Sequence, residues 1–249
     1  MSVSNDLKKK GALSMKKLSA LLIAIIMCFA LAACGENTGG NDNTGEDISL
    51  PPSSTTTGRG ATSKASGTFD AEKIAENLVV DQYSHSTRWS TYVFHVIENT
   101  SEFTLEISGS LKTFDSAGNI IGAKSSSEEA VGAGQKTILR YNLDEDFDNS
   151  EYDISVSAEK YYKPVTQNLT YENSKATNKE IITVTNNGDI VAKFVEVNVL
   201  FFNGDTLADS GSRYFTDDDS EIKPGKSITE EISCREENDS IIVLFTGRG

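Results

Sequence analysis

The pattern of apolar and polar residues predicts strands over most of this chain. Past residue 78, short runs rich in Val, Ile, Thr, Phe and Tyr alternate with Asn, Asp, Gly and Ser, and no helical period of any length appears. Such runs are typical of β-strands joined by tight turns. A short amphipathic stretch, FDAEKIAENL, precedes them at 69–78. We therefore expect an all-β fold of antiparallel sheets.

The strand-rich part contains an internal repeat. Residues 94–122 and residues 181–209 both pass through a strand, an Asn-containing turn, a longer strand and a Gly turn that follows Phe. Three further pairs of segments match, namely 79–83 with 167–171, 130–134 with 221–225, and 154–158 with 241–245. The offset is about 87 residues and widens to 91 around the glycine-centred loop.

Two pairs of matching residues give different registers for this repeat. Asn99 and Asn186 lie 87 positions apart, whereas Phe114 and Phe202 lie 88 apart. Because a slip of one residue exchanges the two faces of a strand, the inward-facing positions stay unassigned. A small bulge or a hairpin of different length would account for both anchors. We expect the hairpin turns at 115–119 and 203–205, which are rich in Asp, Asn and Gly.

The hairpin segment carries a family resemblance. The sequence LKTFDSAGNIIGA, preceded by VIENTSEFTLEI, resembles the FxLYD-type domains of Firmicutes surface lipoproteins, with Phe114-Asp115 as the aromatic-Asp element. The second copy departs from that pattern, because it has Phe202-Asn203 and a turn two residues shorter. The resemblance covers roughly residues 75–249 and carries no catalytic residues.

The resemblance and the repeat together imply two tandem Ig-like, FxLYD-like antiparallel β-sandwich domains. Each copy has six or seven predicted strands in about 85 residues, a density typical of a sandwich that buries one face of each sheet. We assign the domains to 71–164 and 165–249, with Pro164 at the boundary.

The N-terminal region has the layout of a lipoprotein signal peptide. Lys16 and Lys17 precede an uncharged run, 18–33, that is short for a transmembrane helix and ends in small residues. Its last residues and Cys34 read Leu-Ala-Ala-Cys and resemble a lipobox, which implies cleavage between Ala33 and Cys34 and a diacylglyceryl group on the Cys34 thiol. An uncleaved anchor helix is the alternative. We expect residues 1–33 to be removed and translation to start at Met15.

A polar segment separates this signal from the predicted domains. Residues 34–70 are mostly Gly, Ser, Thr, Asn and Pro, with few large apolar side chains. Such a composition cannot offset the entropy of ordering by burial, so it predicts a disordered tether. The chain would then sit on the extracytoplasmic face of the cell membrane, anchored through Cys34.

Charge and cysteine content narrow the possible partners. The chain has a net charge of −14, and residues 34–249 alone carry −18. Such a surface repels phosphate backbones, so we expect no nucleic-acid partner. Cys28 would leave with the signal and Cys34 would be lipidated, so Cys234 is expected to have no disulfide partner.

No catalytic constellation is evident in the sequence. Of the two histidines, His85 falls in a predicted turn and His95 in a predicted strand, where we expect it to face solvent. Glutamates and an aspartate near Cys234 would raise the pKa of its thiol and leave it inert. CxxC, HExxH, P-loop and GxGxxG motifs do not occur.

Two loops and several aromatic residues are weaker candidates for binding. Carboxylates gather in Asp217, Asp218, Asp219 and Glu221, and again at 144–148, and Ca²⁺ accepts such oxygen ligands. Neither loop matches a calcium-binding pattern, so solvated turn acids are the favoured interpretation and no cofactor is expected. Aromatic contact candidates are Tyr83, Trp89, Tyr92, Tyr161 and Tyr162.

These observations favour a non-catalytic, lipid-anchored surface protein whose sandwiches form an interaction or scaffold module, with an unidentified surface-protein or cell-wall partner. The alternative is an accessory or ligand-binding lipoprotein of a transporter or envelope system. A third possibility is an enzyme that acts on the cell wall.

Overall fold

The computed structural model describes residues 67–249. The predicted signal peptide, Ala33, Cys34 and the tether up to residue 66 lie outside the described residues. Strands dominate the described part, and every strand pair is antiparallel. The predicted all-β fold class is confirmed. No helix within 67–249 has the length and apolar character needed to cross a membrane.

The first half begins with one short helix. Helix α1 (Ala71–Asn77) starts after Asp70, whose carboxylate accepts the Lys73 backbone N–H at 3.2 Å and caps the helix. Six strands follow, β1 (Val79–Ser86), β2 (Thr91–Glu98), β3 (Leu105–Phe114), β4 (Ile120–Val131), β5 (Lys136–Leu143) and β6 (Asn149–Ala158).

The second half begins after a connection that contains Pro164 and a single 3₁₀ turn at Thr166–Asn168. Its strands are β7 (Leu169–Ala176), β8 (Lys179–Asn186), β9 (Ala192–Asn203), β10 (Thr206–Tyr214), β11 (Glu221–Ile222), β12 (Ser227–Ser233) and β13 (Ser240–Arg248).

The two halves share one strand order. In the first half, β2 pairs with β1 and β5 in sheet I, and β3 pairs with β4 and β6 in sheet II. In the second half, β9 pairs with β10, β11 and β13 in sheet III, and β8 pairs with β7 and β12 in sheet IV. Strands β10 and β11 together occupy the place of β4, because the residues between them interrupt the strand. The assignment of two tandem Ig-like domains stays a prediction.

Three apolar layers hold the four sheets in a stack. One layer lies between sheets I and II and another between sheets III and IV. The third joins the halves, since it fills the space between sheets I and III. This seam layer contains Phe94, Val96, Ile138, Leu200, Phe202, Leu207 and Leu244.

The central strands of the inner sheets are buried on both faces for this reason. Six of the eight β2 positions are buried, namely Thr91 and the run from Val93 to Ile97, as is the run from Val197 to Phe202 in β9. The matching sequences, YVFHVI and VNVLFF, are correspondingly apolar without strict alternation. A two-layer sandwich standing alone would leave every second one of these side chains in water.

A buried asparagine makes the same contacts in each half. The Asn99 side-chain amide donates to the carbonyls of Phe103, Val131 and Gly132 at 2.8–3.0 Å. The Asn186 amide donates to the carbonyls of Ile190 and Ile222, both at 2.8 Å. Phe103 and Ile190 are 87 positions apart, and Val131 and Ile222 are 91 positions apart. These are the two offsets read from the sequence.

A bulge explains why the two pairs of matching residues give different offsets. Phe194 has a positive φ of 52°, and the pairing of β9 with β13 shifts by one residue beside it. Before this bulge Ala192 corresponds to Leu105, and after it Val195 corresponds to Ile107, so the offset rises from 87 to 88 within one strand.

Two of the segment matches were displaced. Strands β6 and β13 begin at Asn149 and Ser240, an offset of 91, so the match of 154–158 with 241–245 was wrong by four residues. The pairings of β1 and β7 also give 91, whereas the match of 79–83 with 167–171 implied 88. Thr177 and Asn178 take the positions of Ser86 and Thr91, so the second half lacks the four residues that connect β1 to β2.

Ordered contacts begin before α1. Phe69 lies in the segment assigned to the tether, yet its ring packs edge-on against Phe103 with centroids 5.3 Å apart. At the other boundary, Pro164 forms an isolated bridge with Arg248. The strand that closes the second half therefore also contacts the connection between the halves.

Candidate functional site

A cleft of about 1150 Å³ opens where the two halves meet. Its floor is the outer edge of β10 from Ala208 to Arg213. Its first wall comes from the β1–β2 connection and β5 of the first half, and its second wall comes from β12 and the segment after it. Within residues 67–249, β10 pairs only with β9, so its other edge borders the cleft.

A tight turn displays an aromatic residue on the first wall. Thr87 closes the turn, because its hydroxyl accepts the backbone N–H groups of Trp89 and Ser90 at 3.2 and 3.1 Å. Trp89 is 77% exposed, and the Arg88 guanidinium lies 4.8 Å from the centre of its ring. This cation–π pair leaves a flat, basic and apolar surface facing the cleft.

Arginines are concentrated in this cleft. Residues 67–249 hold 16 basic and 32 acidic side chains, yet four of their five arginines line it, namely Arg88, Arg140, Arg213 and Arg235. Arg140 belongs to the first wall and donates to the Ser212 hydroxyl at 2.8 Å. Arg213 lies on the floor and pairs with Glu230 at 2.7 Å.

The second wall is acidic. Glu231, Glu236 and Glu237 line it, and Glu231 pairs with Lys179 at 2.7 Å. Arg235 is the basic residue in the sequence of this wall, and Arg213 and Lys179 reach it through their pairs with Glu230 and Glu231. Asp209 fixes the wall to the floor, since its carboxylate accepts the Arg235 backbone N–H at 2.7 Å. The cleft is therefore polarised, basic and aromatic on one side and acidic on the other.

His85 lies in this cleft and does not occupy a turn. It belongs to β1, and its Nε2 lies 2.9 Å from the Ser210 hydroxyl across the seam. The ring stacks on Tyr92 and Phe94 at 5.3 and 6.1 Å. Burial lowers the pKa of His85, and the Asp209 carboxylate partly opposes that effect.

The pair of Ser210 and His85 does not form a catalytic triad. A triad needs a carboxylate that orients the second imidazole nitrogen and donors for an oxyanion. Among residues 67–249, no carboxylate contacts His85 Nδ1, and the Ser210 N–H donates to the Asp209 side chain at 2.8 Å. The pair instead links β1 to β10 across the seam.

The expectation that His95 faces solvent was wrong. His95 is 0% exposed and lies on the face of β2 that meets sheet II. Its ring contacts Tyr141 and Tyr152 at centroid distances of 5.1 and 4.4 Å, and its Nε2 is 3.1 Å from the side-chain amide oxygen of Gln82. Burial lowers the pKa of His95 to about 4, so the imidazole is neutral at pH 7.

Cys234 is a buried free thiol. Its Sγ donates to the Glu236 carbonyl at 3.1 Å and accepts from the Asn238 amide at 3.4 Å. The pKa of the thiol is raised, as the sequence indicated, but burial contributes more than the charge of Asp209.

The acidic loop before β11 is occupied by its own contacts. Asp217 accepts the backbone N–H groups of Asp219 and Glu221 at 3.0 and 3.2 Å. The Lys223 ammonium lies 4.0 Å from Asp217 and 3.5 Å from Asp219. Within the described range, no group of three or more His, Cys, Asp or Glu side chains is arranged to hold a metal ion. This includes the weak calcium candidates Asp217, Asp218, Asp219 and Glu221.

The five aromatic candidates lie in three environments. Tyr83 and Tyr92 pack against the seam layer. Tyr161 is 86% exposed, and Tyr162 lies under the Arg248 guanidinium at 4.3 Å. Only Trp89 lines the cleft as an exposed ring.

Sequence reasoning missed the cleft itself. Its arginines come from four separate elements, at positions 88, 140, 213 and 235, so no linear motif joins them. The adjacent Arg88 and Trp89 in a turn are the one local signal that could have drawn attention to it.

Comparison with known proteins adds little to this description. No family model matches the chain, and no curated protein matches it. Among solved structures, the chain is similar to red sea bream transglutaminase, with 11% identity and a TM-score of 0.24. The similarity covers 68% of this chain and 29% of that chain, so this chain spans less than a third of that protein's length. A similarity at this level carries no argument about fold or activity.

Proposed function

We propose that this chain is a non-catalytic, lipid-anchored surface protein whose two β-rich halves act as one interaction module. The observation that supports the proposal is the cleft at the seam, where an exposed tryptophan and four arginines surround an open strand edge. Exposed Trp and Arg side chains in a cleft are the residue types that dominate protein interfaces.

The anchor is proposed from the sequence alone. The uncharged run ending in Leu31-Ala32-Ala33-Cys34 supports lipidation of Cys34, and the polar segment after it would hold the module away from the membrane. The resemblance to FxLYD-containing Firmicutes lipoproteins supports the same location.

The anchor is tested by mass spectrometry of the full chain produced in a bacterial host. We expect Cys34 to carry the diacylglyceryl group and the protein to be recovered with membranes. Cys34→Ser should abolish the modification, whereas Cys28→Ser, which changes a cysteine inside the apolar run, should leave it in place. An unmodified Cys34 in the wild-type protein would refute the anchor.

The interaction role is tested by proximity labelling in the native host from a ligase fused after the tether. We expect a reproducible set of labelled neighbours that is lost when Trp89 is replaced by Ala. The matched control is Tyr161→Ala, which removes an exposed ring outside the cleft. Neighbours that do not depend on Trp89 would contradict the role of the cleft.

A ligand-binding lipoprotein that assists a transporter or envelope system is the second candidate. The cleft, at about 1150 Å³, is slightly larger than the range of about 300–1000 Å³ that sites for small ligands commonly enclose, so it has room for such a ligand. Reproducible labelling of one membrane transporter would favour this candidate over a general scaffold.

A further inference from the structure

We infer that the free edge of β10 binds an extended peptide segment of a partner protein, one with acidic and basic side chains at alternate positions. The inference rests on the proposed interaction function and specifies its site and its ligand.

The backbone of the cleft floor suits addition of a strand. The six residues from Ala208 to Arg213 belong to β10, an edge strand of sheet III, and extend about 20 Å at about 3.3 Å per residue. An unpaired strand edge presents N–H and C=O groups that an extended peptide can pair with, and in β10 the Ser210 N–H is the one that already donates to a side chain, the Asp209 carboxylate. The cleft leaves space beside this edge.

The side chains on this edge permit a close approach. Ser210, Gly211 and Ser212 occupy its centre, and no Lys or Pro occurs between Thr206 and Tyr214. Lys and Pro are residues with which proteins commonly block a strand edge.

The two walls face opposite sides of sheet III. Ser210 and Ser212 point to the first wall, since they contact His85 and Arg140. Gly211 points the other way, because a Cβ built on it would lie 2.6 Å from Ile232 on β12. Side chains of a strand added to β10 would alternate in the same manner, each second one meeting the same wall.

The charges of the walls then define the ligand. Side chains directed to the first wall meet Arg88 and Arg140 beside Trp89, which favours Glu or Asp. Side chains directed to the second wall meet Glu231, Glu236 and Glu237, which favours Lys or Arg. Arg213 lies on the same side of β10 as Gly211 and pairs with Glu230 of β12, and Glu231 pairs with Lys179. Glu236 and Glu237, next to Arg235, therefore supply most of the acidic charge that a ligand meets on the second wall.

A uniformly negative polymer fits this cleft poorly. It would meet the glutamates of the second wall, and the net charge of −16 over residues 67–249 would oppose its approach. An alternating peptide satisfies both walls at once, whichever direction it runs along β10.

The inference is tested by titrating full-length protein in detergent with two synthetic peptides of equal composition. The alternating peptide is acetyl-Glu-Lys-Glu-Thr-Glu-Lys-Glu-Thr-amide, and its isomer is acetyl-Glu-Glu-Glu-Glu-Lys-Lys-Thr-Thr-amide. The chain contains one tryptophan, so its fluorescence reports on Trp89 directly. We expect the alternating peptide to bind about tenfold more tightly than the isomer, because only it matches both walls.

Strand pairing is tested with the alternating peptide N-methylated at every second residue. Two such peptides are made, with the methylated positions shifted by one residue, which gives two frames. In one frame the methyl groups face β10 and should abolish binding, whereas in the other they face away and binding should be retained. Arg140→Gln should weaken binding several-fold, and Lys112→Gln, which changes an exposed lysine on β3, should not.

Several results would overturn the inference: no binding of the alternating peptide, equal affinity for its isomer or for polyglutamate, or binding that is insensitive to N-methylation in both frames. If the peptide fails but neighbours are still labelled in a Trp89-dependent way, this inference fails while the proposed function stands. If labelling also fails to depend on Trp89, both fail.

Discussion

His95 lies among aromatic rings with no exposed surface, and burial lowers the pKa of its imidazole to about 4. Its Nδ1 has no hydrogen-bond partner within the described residues, and neither does the nearby Tyr141 hydroxyl. A charged imidazole at this position would lose its hydration without gaining a carboxylate partner. Protonation of His95 therefore opposes folding.

We expect His95 to make stability depend on pH between 6.5 and 4. Its pKa is about 4 when folded and 6.5 in the unfolded chain, so only the unfolded state binds the proton in this interval. The contribution of neutral His95 to the free energy of unfolding is complete above pH 6.5. It is lost as the pH falls to 4, by up to about 1.4 kcal/mol per pH unit.

Urea unfolding of wild type and His95→Gln at pH 7, 6, 5 and 4 measures this contribution. The free energy of unfolding should fall less steeply for the variant. Asn142→Ala is the control, since it changes an exposed β5 side chain that does not titrate. Parallel curves for wild type and His95→Gln would show that His95 does not titrate as described.

Among the elements, the connections between strands decide how each half is held together. Asn99 follows β2 and ties it to the start of β3 and to the glycine-centred loop before β5, and Asn186 does the same in the second half. Strand register in each half therefore depends on one buried amide. Connections without such a residue vary between the halves, as the lengths of the β1–β2 and β7–β8 turns show.

Replacing Asn99 with Ala should lower the free energy of unfolding by about 2 kcal/mol or more. The change leaves three carbonyls without their donor, and an unpartnered buried polar group commonly costs about 1–3 kcal/mol. Denaturant unfolding measures the loss, and Asn142→Ala at an exposed β5 position is the control. Equal stability of the two variants would mean that the Asn99 contacts contribute nothing.

At the scale of the whole described part, the seam joins the halves through apolar packing and through charge. Glu128 on β4 faces Glu196 on β9, next to Arg140 and Arg248. Burial, followed by repulsion from Glu196 and Glu129, raises the pKa of Glu128 to about 8, despite the two arginines. The apolar part is the layer that contains Phe94 and Leu200.

Ionisation of Glu128 should weaken the fold as the pH rises. Its pKa is about 8 when folded and 4.5 when unfolded, so its favourable contribution is complete below pH 4.5 and disappears by about pH 8. Glu128→Gln should therefore gain melting temperature relative to wild type between pH 5 and pH 9. Glu151→Gln, at an exposed β6 position, should not. An equal response of both variants would contradict the raised pKa.

Shortening a side chain of the seam layer should uncouple the unfolding of the two halves. Leu200 points into the seam layer, and its neighbour Val199 points into the layer between sheets III and IV. Leu200→Ala should lower stability by about 2–5 kcal/mol and split the calorimetric transition in two. Val199→Ala should destabilise the second half without loosening the seam. A single transition in Leu200→Ala would show that the halves stay cooperative without this side chain.

The sequence by itself determined the strands, their hairpins and the repeat. These features depend on neighbours in the chain: the β-branched runs, Asp115 and Asn119 in one turn, and Asn203 and Gly204 in the other. The change of offset from 87 to 88 is visible in the sequence, but its origin in the bulge at Phe194 is visible only in the pairing of β9 with β13.

Only the tertiary structure decided how the halves pack, the burial of His95 and the existence of the cleft. Each depends on residues far apart in the chain, such as His85 with Ser210 or Arg140 with Ser212. Alternation shows that a strand has two different faces, but not that a second sheet covers the outer one. Because the seam covers the outer faces of sheets I and III, it also brings four scattered arginines to one strand edge.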